Sequence, residues 1–461
     1  MDAEKRARRQ SLRVIASELI MVVAVIVTVS ILAFVVSGYW VGSDFKIERQ
    51  GLLQIYSTPT GADIEIDGSP SSWLQRTNTS KTLSAGEHTI KLTKEGYDSW
   101  SRTINITEGL LYRLHYPRLF MNKRYKESTF DYSGNFASVS PNRNTMLLAN
   151  NTTTWQTFNL DSDSAKLQSL DLSEVLPFTS LADDAKEGLF TGNIINADWS
   201  SDNEHVLLKI EYEGMINWLV LNIKNPINSV NLTKAYNANF SEMEILDNSA
   251  NNLLVVLNHN LHRIDVGAKQ ISSVLVSNVS SFDYYNSDVV FSTANSVGLL
   301  KLGSGEIVEL TSITEPTQVI VTKFYDDEYY GLISSHQFQL YFKKDFTLKS
   351  EFDLSFAPEK IKVGSAGEVI TMYTGGRIAA LDMEAMKITE WTTDTDSFGW
   401  LDGSMVYAVK DGALNVYDFN GLNFRSLTNN VSSHFPVTIT SDKYLYYFKD
   451  GSLVREWLIE K

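Results

Sequence analysis

From about Phe120 onward an apolar strand pattern returns at intervals near forty residues, and no other feature restricts the fold as much. It reads TMLLAN (145–150), HVLLKIEY (205–212), NLLVVLN (252–258), DVVFST (288–293), YYGLIS (329–334), EVITMYT (368–374), MVYAVK (405–410) and YLYYFKD (444–450). Counted from Met146, Val206, Leu253, Val289, Tyr330, Val369, Met405 and Tyr444, the steps are 60, 47, 36, 41, 39, 36 and 39. Such a period means one supersecondary unit per repeat, stacked on its neighbours because no unit can bury its own apolar face. A short polar turn and a second strand ending near an acid follow, as in NLHRIDV, RIAALDM and ALNVYDF. Strand pairs repeated without helices predict a β-propeller over 120–461. The count argues for eight blades, or seven if the terminal repeats share one.

Two turns support this. ADWSSDNEHVLL (197–208) and ASVSPNRNTMLL (137–148) resemble the Trp-Ser-Pro-Asp-Gly turn of TolB-like and WD40-like propellers. Later repeats keep Asp-Gly, as in WLDGSMVYAVKDGALNVYDF (400–419). The long first step carries a polar surplus at 161–188 with Pro177, expected as a loop excursion with a helical turn.

The N-terminus reads as a membrane anchor. Residues 19–41 run 23 positions without a charge, and a helix of that length reaches about 35 Å. This exceeds the roughly 7–15 apolar residues of a cleaved signal peptide, and Tyr39 and Trp40 stand at the far end, where interfacial aromatics belong. Lys5, Arg6, Arg8, Arg9 and Arg13 precede the span, whereas Asp44, Lys46, Glu48 and Arg49 after it nearly cancel. The charge asymmetry predicts a basic cytoplasmic tail (1–18), one transmembrane helix (19–41), a connector (42–51) and an extracytoplasmic bulk.

Residues 52–119 hold period-two strands, LLQIYS, ADIEIDG, HTIKLTKEGY and SRTINITEG, bounded by glycines, and predict a small β-sandwich. In PTGADIEIDG (59–68), Pro59 fixes φ, Gly61 and Gly68 tolerate positive φ, and Asp67-Gly68 favours a tight hairpin turn. This stretch, LSAGEHTIKLTKEGYDSW (83–100) and INITEG closely resemble the PEGA domain. Pro59, Gly61 and Ala62 match its turn, Gly86 and His88 its Gly-x-His step, and Gly96 with Tyr97 its Gly-Tyr pair; Thr60 replaces the glutamate. The resemblance implies a non-enzymatic adapter in a prokaryotic envelope protein. Asp63, Glu65 and Asp67 share one strand face, which reads as solvated before it reads as a cation site.

The 461 residues contain no cysteine, which excludes disulfides, thiolate metal sites and a cysteine nucleophile. A net charge of −15 with no long basic stripe after the N-terminus argues against a nucleic-acid partner. Gly-x-Ser-x-Gly, His-Glu-x-x-His, a phosphate loop and a dinucleotide fingerprint are all missing, so no catalytic residue, cofactor or metal is expected. His259 and His262 read as a turn, and the DSDS at 161 and DTDS at 394 as solvated turns. Aromatic rings among acids in KFYDDEYYG and FDYYNSD suit protein or glycan contacts. Tyr284 and Tyr285 are the candidate loop-tip interaction pair, while Tyr329 and Tyr330 belong inside a blade.

Two functions follow. The first is a non-catalytic envelope scaffold binding a protein partner through propeller loops. The second is a glycan-binding or polysaccharide-degrading module working through acids in the propeller channel. Clustered acids in the channel favour the second, and an apolar or neutral lining favours the first.

Overall fold

The computed structural model describes residues 18–33, 39–41, 47–71, 76–123, 125–132, 134–162, 167–177, 188–246, 250–364 and 367–458. Two compact units divide the chain, Met1–Asn122 and Lys123–Lys461.

In the first unit residues 18–33 are helical, with apolar side chains such as Ile20, Ile26 and Leu32 more than half exposed. Among the described residues no helix is long and apolar enough to cross a membrane. The expected helix to residue 41 is therefore corrected at its end. Tyr39–Val41 is a strand paired antiparallel with Ile47, Glu48 and Arg49. Gly38 precedes this aromatic and β-branched trio, which suits a strand, and ladder pairing satisfies its backbone groups. The expected connector is shortened likewise, because the strand Ile47–Ile55 begins inside it. The basic tail up to residue 17 and residues 34–38 lie outside the described residues.

The rest of this unit is a sandwich. One four-stranded sheet joins Tyr39–Val41, Ile47–Ile55 and Thr79–Ser84, with Leu111–Leu114 parallel to Ile47–Ile55. The other orders Ser69–Pro70, Asp63–Ile66, Gly86–Thr93 and Trp100–Ile106. Alternate residues point inward, so Leu53, Ile55, Ile64, Ile90, Leu92, Trp100 and Ile104 share one core.

The second unit repeats one motif. Among the described residues it holds eight four-stranded sheets, seven of them consecutive meanders: 136–171, 193–231, 240–271, 281–312, 318–353, 360–392 and 397–428. The eighth takes three strands from 438–457 and its fourth from Tyr125–Asp131, at the start of the unit. Shared cores bind the eighth sheet to the first, and the first six in succession. Trp391 Nε1 donates to Phe419 O at 3.0 Å between sheets six and seven, and Ile439 N donates to Leu401 O at 3.1 Å between seven and eight. The sheets thus close into a propeller-like ring.

The recurring strands of the sequence are the second and third of each sheet, joined in five sheets by a two-residue turn with both φ positive. These are Glu213-Gly214, Asn258-His259, Gly375-Gly376, Asp411-Gly412 and Asp450-Gly451. The polar surplus is not wholly a loop, because Leu167–Asp171 within it supplies the first sheet's fourth strand.

Candidate functional site

The first strand of each sheet faces the middle of the ring. Adjacent ones touch directly: Val319 N donates to Ser281 Oγ at 3.3 Å and Val321 N to Asp283 Oδ2 at 2.7 Å, joining the fourth and fifth sheets. Across the ring, Asp198 of the second sheet and Lys362 of the sixth feel each other's charge.

Three successive first strands present carboxylates at one level of this channel. Asp198 pairs with Leu207, Glu244 with Leu254 and Asp283 with Val290, each opposite the residue after the first core residue of its repeat. The equivalent position in the first sheet is Ser138, opposite Leu147. Acids therefore cluster on one arc, with Glu242 beside Glu244 and Lys360 and Lys362 on the sixth sheet. Asp198 and Lys362 reach water but are crowded by protein, so the channel hydrates charge poorly. Loss of hydration raises the Asp198 carboxyl. It raises Glu244 far more, helped by the charges of Asp283, Asp198 and Glu242. Asp283 is pushed up to about 6 by burial, against the pull of N–H donors from Val321 and Tyr284. The Oε2 of Glu244 is buried with no hydrogen-bond partner. Among the described residues no three acids or histidines could hold a metal ion.

A second feature lies where turns of the fourth and fifth sheets meet: a cavity of about 610 Å³, with Leu299, Val308, Leu310, Phe342 and Phe346 on its wall. Lys343 stands in it between Asp288, at 3.2 Å, and Glu328, at 2.9 Å.

Tyr284 and Tyr285 are not at a loop tip. Both end the channel strand Ser281–Tyr285 and are half-buried, because the turn after them consists of Asn286 and Ser287 alone. The Tyr284 hydroxyl donates to Ile245 O of the neighbouring sheet. The ring of Tyr285 lies 5.3 Å from Lys343 Nζ, at the edge of the cavity. Tyr329 and Tyr330 sit inside the fifth sheet, 4% and 1% exposed. His259 occupies a turn, and His262 Nδ1 lies 3.0 Å from Ser272 O.

In the sandwich, Asp63 pairs with Arg76 at 2.9 Å and Glu65 with Lys91 at 3.4 Å. Asp67 binds His88 Nδ1 at 2.7 Å and accepts from Thr89 N at 2.8 Å, contacts that hold its carboxyl below the usual range. Each acid is thus engaged separately.

A small sandwich and a propeller-like ring define a modular all-β chain, and the comparisons agree with its first part. Residues 50–118 match the family model of the PEGA domain. No curated protein matches the sequence. Among solved structures the chain is similar to the C-terminal WD40 domain of Sif2, at 11% identity and a TM-score of 0.49, covering 73% of this chain and 99% of that one. It is similar to Hsv2 of Kluyveromyces lactis at 9% identity and a TM-score of 0.43, with 66% and 99% covered. For apo AztD of Citrobacter koseri the values are 11% and 0.40, with 80% and 94% covered.

Proposed function

We propose that this chain is a non-catalytic, membrane-anchored interaction protein of the prokaryotic cell envelope, whose eight-bladed propeller binds a protein partner outside the cytoplasm. The observation that carries this is the closed ring of eight sheets, a rigid frame that gathers many short turns on each face. The PEGA sandwich supports an adapter role. The uncovered apolar side chains of residues 18–33, preceded by five basic residues, support bilayer contact. Crosslinking in intact membranes followed by capture on the full chain should yield one envelope protein in stoichiometric amount. Capture of polysaccharide alone would overturn the reading. Protease added outside the membrane should remove the propeller, and a protected propeller would refute the orientation.

One observation favours a second reading. The channel arc sets Glu244, whose carboxyl is raised well above its ordinary value by burial and by neighbouring charges, beside other carboxylates, and glycoside hydrolysis pairs such a raised acid with a nucleophile or base. Asp283 is already committed to two backbone donors, which suits a structural pin between sheets. Release of reducing ends from envelope polysaccharide, abolished by Glu244→Gln, would establish the enzyme and displace the scaffold.

A further inference from the structure

The cavity between the fourth and fifth sheets has a chemistry that selects its occupant. Its apolar wall is built from Leu299, Val308 and Leu310 of the fourth sheet and Phe342 of the fifth, with Phe346 in the turn beyond. Phe346 is held in place by stacking on Tyr341 at 4.3 Å with the rings 4° from parallel. Tyr330 lies at the charged end: it is 1% exposed, its hydroxyl feels Asp288 and Glu328, and its Oη has no hydrogen-bond partner. A hydroxyl buried without a partner is unfavourable, and a ligand polar group would relieve it.

The charges at the mouth are unequal. Five carboxylates and three ammonium groups line the cavity. Lys343 is spent on Asp288 and Glu328, and Lys301 on Glu306 at 2.8 Å. Asp326, Asp327 and Asp345 then stand exposed with Lys344 the one lining cation outside these pairs, 5.1 Å over the Phe342 ring, and Lys349, outside the lining, 5.4 Å over the same ring, which leaves the rim net acidic. An apolar slot beside a net acidic rim complements an apolar side chain adjoining a basic one. The volume suits one such anchor, since ligand pockets occupy about 300–1,000 Å³.

We infer that this cavity is the docking site for a segment of the partner polypeptide carrying an apolar residue next to a lysine or arginine. The inference rests on the protein-binding reading and deepens it. The apolar side chain enters between Leu310 and Phe346, the basic one meets Asp326 and Asp327, and the peptide backbone supplies the missing partner of Tyr330.

The test uses the full chain in detergent and three pools of fluorescent dodecapeptides, degenerate except for a central Leu-Arg, Leu-Glu or Ser-Arg pair. Anisotropy should show the Leu-Arg pool binding at least tenfold tighter than either other pool. Asp326→Lys with Asp327→Lys should invert the order of Leu-Arg and Leu-Glu, and Tyr330→Phe, which keeps the ring, should weaken Leu-Arg three- to tenfold. If the double variant melts early, Lys344→Glu serves instead and should tighten Leu-Arg binding. Pools that bind alike, an order that charge reversal leaves unchanged, or displacement of the peptides by neutral oligosaccharide would each overturn the assignment. Equal capture of the membrane partner by the charge-reversed and unaltered chains would leave the scaffold reading standing while this site falls.

Discussion

Asp67 and Gly68 illustrate what a residue reveals alone and what it needs the fold to reveal. The dipeptide reads as a hairpin turn, and it is one: φ is 51° and 77°, with Ile66 opposite Ser69. That Asp67 also binds the His88 ring and the Thr89 amide was not legible, because its partners lie 21 and 22 residues away on another strand. Nor was the placement of Tyr284 and Tyr285, since aromatic residues beside Asn-Ser fit a strand end as well as a loop tip. The turn gives the first prediction. Gly68→Val should destabilise the sandwich by roughly 1–3 kcal/mol, because a β-branched residue is forced to positive φ; the space around the site is open, so the effect is backbone strain. Asp63→Ala removes only an exposed ion pair with Arg76 and should shift stability by at most about 1 kcal/mol. Melting of the full chain, followed in the sandwich transition, separates the two, and equal shifts would refute the role of Gly68.

The second strand of each sheet was legible as an apolar run, as in Val289–Phe291 and Tyr444–Phe448, where burial is continuous, and third strands such as Gln337–Phe342 and Ala413–Asp418 by alternation. Fourth strands such as Glu306–Ser312 and Leu348–Asp353 were not, since their outer position leaves little to bury and their sequences are charged. First strands hid the channel for a related reason. Asp198, Glu244 and Asp283 look like ordinary surface acids until the ring sets them on one arc. The second prediction belongs to that arc. Where burial raises a carboxyl above its unfolded value, the folded state holds protons that the unfolded state has released, so stability falls as pH rises between the two values. For Asp283 this window runs from about 4 to about 6, and Glu244 is raised in the same direction. Glu244→Gln removes the titrating group whose ionised form the channel disfavours and should stabilise the ring at pH 7, with the advantage over the unaltered chain vanishing toward pH 4. An equal or lower melting temperature for the variant at pH 7 would mean that burial in the channel does not disfavour an ionised Glu244.

For the molecule as a whole, the count of eight was carried by periodicity, whereas closure was not. The strand that completes the eighth sheet, Tyr125–Asp131, precedes its partner Ser452–Trp457 by more than three hundred residues, and no local pattern announces such a pairing. Closure matters physically because an open ring exposes two sheet faces and a strand edge, whereas a closed one buries Phe158, Tyr446 and Leu453 together, with the half-buried Phe130 packed against them. The ring is held across this seam by the Tyr446 hydroxyl on Leu160 O at 2.6 Å and Thr440 Oγ1 on Arg143 O at 2.6 Å. If the seam is where the ring opens, a covalent staple there should stabilise the entire unit. The chain contains no cysteine, so a single engineered pair is unambiguous. Thr129 stands directly opposite Val454, a separation that suits a disulfide, so Thr129→Cys with Val454→Cys should oxidise readily. The bond closes a loop of over three hundred residues and should raise stability by about 2–4 kcal/mol in the oxidised form only. Melting of the same preparation with and without reductant checks this directly. A ring that melts at one temperature in both states would place its weakest point away from the seam, and the strand Tyr125–Asp131 would then be an accessory to closure.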